Sequence, residues 1–92
     1  MEEDTESVDI YYEEPTIHIG SEIRRVMEEG HYSAAWLAAK LFCDRTNVYK
    51  ILARSSLDSD TLYKISFFLR YDFFALYSRE ISRIKTEEDR II

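Results

Sequence analysis

From residue 21 onward the apolar residues recur at the three- and four-residue spacing of helices that bury one face. Ser21 stands as an N-cap before Ile23, Val26 and Met27, and Gly30 supplies a stop, so the pattern predicts a first helix over 21–29. Ser33 then precedes Ala34-Ala35-Trp36-Leu37-Ala38-Ala39-Lys40-Leu41, a run of strong helix formers with Leu37 and Leu41 on one face. Asp44 is placed to accept backbone N–H bonds at the start of a third helix, 45–53, whose buried stripe is Val48, Ile51 and Leu52. The opposite face of that helix collects Arg45, Thr46, Tyr49, Lys50 and Ala53, with no carboxylate, an arrangement that a merely solvated helix does not require. After a loop over 55–59, Ser59 or Asp60 caps a fourth helix over 61–69 with Leu62, Ile65, Phe68 and Leu69 inward, and Asp72 caps a fifth over 73–78.

Only two Gly and one Pro occur among the 92 residues, which suits helices joined by short turns, so the expected class is all-α and the expected organisation one domain. That domain is placed at 18–78, between an N-terminal tail, 1–17, and a charged C-terminal segment, 79–92, that is either a tail or an extension of the fifth helix. Charge is distributed unevenly. The net charge is −6, but residues 1–17 carry seven acids and no Lys or Arg, leaving 11 acids against 12 bases in the rest. Around the third helix, Lys40, Arg45, Lys50 and Arg54 face only Asp44. The tail also contains Val8, Ile10, Tyr11 and Tyr12, a short β-prone run within a segment whose composition otherwise favours disorder.

The span from Ser33 to Ile51 resembles the helix-turn-helix of phage repressors and related XRE-type regulators, with Leu37-Ala38, Leu41, Cys43-Asp44, Val48 and Ile51 at the matching spacing. Ala38 lets two helices cross closely, Cys43 plugs the turn, and Val48 and Ile51 anchor the third helix so that its polar face projects. The likeness continues through Leu62, Ile65, Leu69 and Asp72-Phe73, while Ile17-His18-Ile19-Gly20 and Asp72-Phe73-Phe74 resemble a small bacterial or prophage-associated subgroup. It implies a five-helix, lambda-repressor-like domain that binds double-stranded DNA. Its base-reading positions fall on Arg45, Thr46 and Lys50, with Tyr49 at the edge, and its phosphate-contacting positions on Ser33, Ala34, Asn47 and Arg54. The chain departs from the family pattern in three places. Phe42 stands at the turn position that is usually Gly; Met27 and Leu52 replace an Arg–Glu ion pair; and the loop after the third helix, often basic, carries Asp58 and Asp60.

The remaining candidates for chemistry have plainer readings. Cys43 has no CxxC partner and lies at no ligand spacing from His18 or His31, so it reads as packing, and no metal or cofactor is expected. Trp36, Phe67-Phe68 and Phe73-Phe74 read as core or as a dimer contact. No nucleophile elbow, phosphate-cradling glycine loop or acid/base carboxylate pair occurs, and the expectation is a non-enzyme. The absence of a signal pattern, of a membrane-length apolar run and of paired cysteines points to the cytoplasm. Phe74, Tyr77, Ile81 and Ile84 fall at a–d–a–d spacing, a candidate homodimer seam. The acidic tail is read first as solubilising; as alternatives, it mimics DNA phosphate or meets a basic protein partner. The expected function is sequence-specific repression of a promoter by a homodimer. The alternative is an antitoxin-like or adaptor module in which the helix-turn-helix is only scaffold.

Overall fold

The computed structural model describes residues 17–91, with side chains for 17–86. The described residues form α-helices and no strand: α1 (Ile19–Gly30), α2 (Ala34–Leu41), α3 (Arg45–Leu52), α4 (Ser59–Leu69) and α5 (Phe74–Ile91). The acidic run and its β-prone stretch lie outside the described residues. α3 packs against both α1 and α2, and α2 also packs against α4. At their meeting point Ile19, Ile23, Leu37, Val48, Ile65 and Phe73 are fully buried. Each such side chain contributes about 1.5–3 kcal/mol of hydrophobic stabilisation. Ala38 is buried where α2 approaches α3, and the Cys43 N–H donates to its carbonyl at 3.0 Å. Cys43 itself packs against the core's edge. Met27 and Leu52, where the resemblance expects an ion pair, are both buried among apolar side chains.

Two of the five expected helix starts hold and three move. Ser33 Oγ accepts from the Trp36 N–H at 3.0 Å, and Asp44 Oδ1 from the Asn47 N–H at 3.0 Å, so α2 and α3 begin where their caps predict. α1 begins earlier than Ser21 because His18 is its cap: the imidazole Nδ1 accepts from the Ser21 N–H at 3.1 Å. α4 is capped by Asp58 and not by Ser59 or Asp60, since this carboxylate reaches the Thr61 N–H at 2.9 Å and the Thr61 hydroxyl at 2.8 Å. The Asp72 cap is as expected, accepting from the Ala75 N–H at 3.2 Å, but helix begins one residue late because Phe73 turns into the core first.

Three helices end on non-glycine residues in the left-handed region, His31 (φ 61°), Phe42 (φ 57°) and Arg70 (φ 55°). At each end the N–H groups that follow the helix bond back to its last carbonyls, as when Phe42 donates to Ala39 and Cys43 to Ala38. Gly30, expected as the stop, is the last residue of α1, and a side chain there would strike the Tyr32 ring. A left-handed conformation costs an L-residue about 1–2 kcal/mol, partly offset in any glycine replacement by chain entropy. The Phe42 ring is 96% exposed and forfeits little packing, so Phe42→Gly is expected to stabilise the chain by about 0.5–1 kcal/mol in urea unfolding. An unchanged or lowered midpoint would show that the turn is unstrained.

The aromatic residues divide. Phe73 is core, Trp36 is half-buried and stacks on Tyr32 with ring centroids 4.6 Å apart, and Phe68 is half-buried. Phe67, expected in the core or at a dimer contact, is 67% exposed and so is not core, because Leu62, Ile65 and Leu69 occupy the inward face of α4. On α1, Arg25 bonds the hydroxyl of Tyr71, beyond α4, and pairs with Glu22 and Glu29, interactions that hold its guanidinium charged. α5 continues past the core through residue 91, with Ile81 and Ile84 exposed.

Candidate functional site

The exposed face of α3 is built by the same residues that fix the helix. Val48, Ile51 and Leu52 are buried, which turns Arg45, Thr46, Asn47, Tyr49 and Lys50 outward, all exposed. Asp44, the acid nearest this face in sequence, holds the Asn47 N–H through its carboxylate. The side chains of Arg45, Thr46, Tyr49 and Lys50 make no hydrogen bond or ion pair among the described residues. The face is therefore a set of unengaged donors around the Tyr49 ring, held on a rigid element. Among the described residues neither Arg45 nor Lys50 is paired with an acid.

The other expected contact residues are placed in two groups. Asn47, Lys50 and Arg54 line a cleft of about 340 Å³ between α3 and α4, with Leu41, Cys43 and Ile51 as part of its floor. Arg54 is steadied there by an Nε–H bond to the Ser56 carbonyl at 3.1 Å. Ser33 and Ala34 stand apart, at the start of α2. Ser33 is exposed with its oxygen occupied by the Trp36 N–H, and Ala34 is half-buried against the core.

The cleft also contains Lys64, a cation on α4 that sequence reasoning did not single out. The acids that make the preceding loop differ from the family pattern are both engaged. Asp58 caps α4, and its bonds from Thr61, with the nearby Arg54 charge, hold its carboxyl below the usual carboxylate range. Asp60 pairs with Lys64 at 3.1 Å. The Asp58-x-x-Thr61 spacing was the available signal for the cap, and Asp60 with Lys64 four residues later the signal for the pair.

Of the seam residues, Phe74, Ile81 and Ile84 are exposed on α5, while Tyr77 packs partly against the chain's own core, where burial raises its phenol pKa. Among the described residues no cluster of His, Cys, Asp and Glu is arranged to hold a metal ion. No helix among them is long and apolar enough to cross a membrane. No protein-family model, curated protein or solved structure matches the chain.

Proposed function

We propose that this protein is a sequence-specific DNA-binding regulator, a phage-repressor-type helix-turn-helix protein in which α2 and α3 are the two motif helices and α3 enters the major groove. The observation that carries the reading is the outward face of α3, which offers Arg45, Thr46, Tyr49 and Lys50 unengaged among the described residues and without a carboxylate on the helix itself, whose other face is locked into the core. Arg45 and Lys50 have the donors to meet guanine O6 and N7, and Thr46 has a hydroxyl and a methyl for a base edge or a thymine methyl. Ser33, the Ala34 backbone, Asn47 and Arg54 serve as phosphate contacts that set the register. Two copies joined through Phe74, Ile81 and Ile84 of α5, with Tyr77 at the seam's base, place two such helices on one duplex. Bound at a promoter in the cytoplasm, the pair represses by occluding polymerase.

Selection of bound duplexes from a random pool tests this reading. It predicts one enriched motif, repeated with two-fold symmetry at about one helical turn for a dimer, and an affinity that falls steeply as salt is raised. Recovery of sequences indistinguishable from the input pool would contradict it. A second reading, a protein-interaction module, draws on the exposed Tyr63 and Phe67 of α4. It predicts no enrichment in the same selection.

A further inference from the structure

Residues Glu2, Glu3, Asp4, Glu6, Asp9, Glu13 and Glu14 precede Ile17 with no Lys or Arg among them. The start of α1 that follows is fastened to the loop after α3. The Ile19 N–H donates to the Ser55 carbonyl at 3.1 Å and the Gly20 N–H to the Arg54 carbonyl at 2.9 Å. The acidic residues therefore join the domain beside Arg54, whose side chain lines the α3–α4 cleft with Lys50 and Lys64. We propose that segment 1–16 docks in this cleft, its carboxylates meeting Lys50, Arg54 and Lys64, and that in doing so it competes with DNA for Lys50 and Arg54. The docking is independent of the DNA reading; the competition rests on it.

Reach, charge and position support this occupant. An extended chain spans about 3.4 Å per residue, so the segment covers the cleft many times over from an anchor at Arg54. The one acid lining the cleft, Asp58, is already turned to the Thr61 N–H and hydroxyl, Lys50 has no ion pair among the described residues, and the pair of Lys64 with Asp60 is solvent-exposed, so an incoming carboxylate exchanges with it at little cost. Another cleft with a basic rim, about 660 Å³ between α2 and α4, is lined by Trp36, Phe67, Phe68, Lys40 and Arg70. Tyr32, which also lines it, follows the far end of α1, a helix of 12 residues and so about 18 Å from the anchor. Tethering also keeps the local concentration of the segment in the millimolar range, so individually weak carboxylate contacts suffice.

The test compares the intact chain with a full-length variant carrying E2Q, E3Q, D4N, E6Q, D9N, E13Q and E14Q, which leaves every residue of the helical domain unchanged. Without DNA, the amide NMR signals of Lys50, Arg54 and Lys64 are expected to differ between the two proteins, and the difference to vanish at about 0.5 M salt, where charge contacts are screened. Unchanged signals at these residues would overturn the proposal, and so would changes confined to Trp36, Phe67 and Arg70. With DNA at low salt, the variant is expected to bind about tenfold more tightly, the gain if the tethered segment occludes the cleft about nine-tenths of the time. If the cleft signals shift but neither protein binds DNA, the docking stands and the DNA reading fails. If the signals shift and both proteins bind DNA equally, the competition is overturned.

Discussion

Gly20→Ala is expected to lower the stability of the protein by about 3 kcal/mol and its melting temperature by roughly 15 °C, although alanine is the better helix former. Gly20 lies in the first turn of α1 where that helix meets the end of α3 backbone to backbone. A Cβ there would fall onto the Leu52 carbonyl oxygen, with the Leu52 carbonyl carbon at 2.6 Å and the Arg54 carbonyl oxygen at 2.7 Å. These are main-chain atoms, so no rotamer change relieves the clash. Separation of the two segments lengthens the bonds from Ile19 to Ser55 and from Gly20 to Arg54, each worth about 1 kcal/mol. It also loosens Ile19, which is fully buried. The intrinsic gain of alanine over glycine, about 1 kcal/mol, offsets only part of this loss. Thermal unfolding followed by circular dichroism measures it, and an equal or higher melting temperature would show that the approach of α1 to α3 is not close.

Arg45→Ala is expected to weaken binding to the selected DNA site by about 1–3 kcal/mol, a factor of roughly 5 to 150, with the fold intact. Arg45 is the first residue of α3, the end of the helix that enters the groove under the proposed function. Its planar guanidinium is suited to two parallel bonds to a guanine, which no other side chain on this face can supply in that geometry. The side chain is exposed and makes no hydrogen bond or ion pair among the described residues, so its removal leaves Val48, Ile51 and Leu52 seated. A binding titration with unfolding measured in parallel separates the two effects. Equal affinity of the variant and the parent chain would remove α3 from the interface.

The helices were legible because their starts and their buried stripes are written in local spacing. Ser33 and Asp44 stand three residues before the N–H groups they accept, and Val48, Ile51 and Leu52 share one face of α3. For the same reason the outward face of α3 was readable, since burial of one side of a short helix fixes the other. Features that depend on an unusual residue in an ordinary role were missed. An imidazole caps α1, and His31 and Arg70 take left-handed conformations that glycine usually fills. Tertiary features were missed as well. Lys64 joins Lys50 and Arg54 only because the fold brings residues of α3 and α4 to the lining of one cleft, and the need for Gly20 arises from a backbone crossing between residues more than thirty positions apart. Spacing within a single helix carries no signal for either. Of the two positions open to Phe67, core and dimer contact, spacing could not exclude the core, which the filled inward face of α4 does.

The most direct measurement of the central claim is a titration of the parent chain, Arg45→Ala and Asn47→Ala against the selected site and every single-base variant of it. If α3 reads bases, the parent shows a preference at each contacted position, Arg45→Ala loses that preference at one base pair, and Asn47→Ala binds all duplexes more weakly with the preferences unchanged. If Arg45→Ala keeps both the affinity and the full preference profile of the parent, α3 is not the reading element and the account is contradicted.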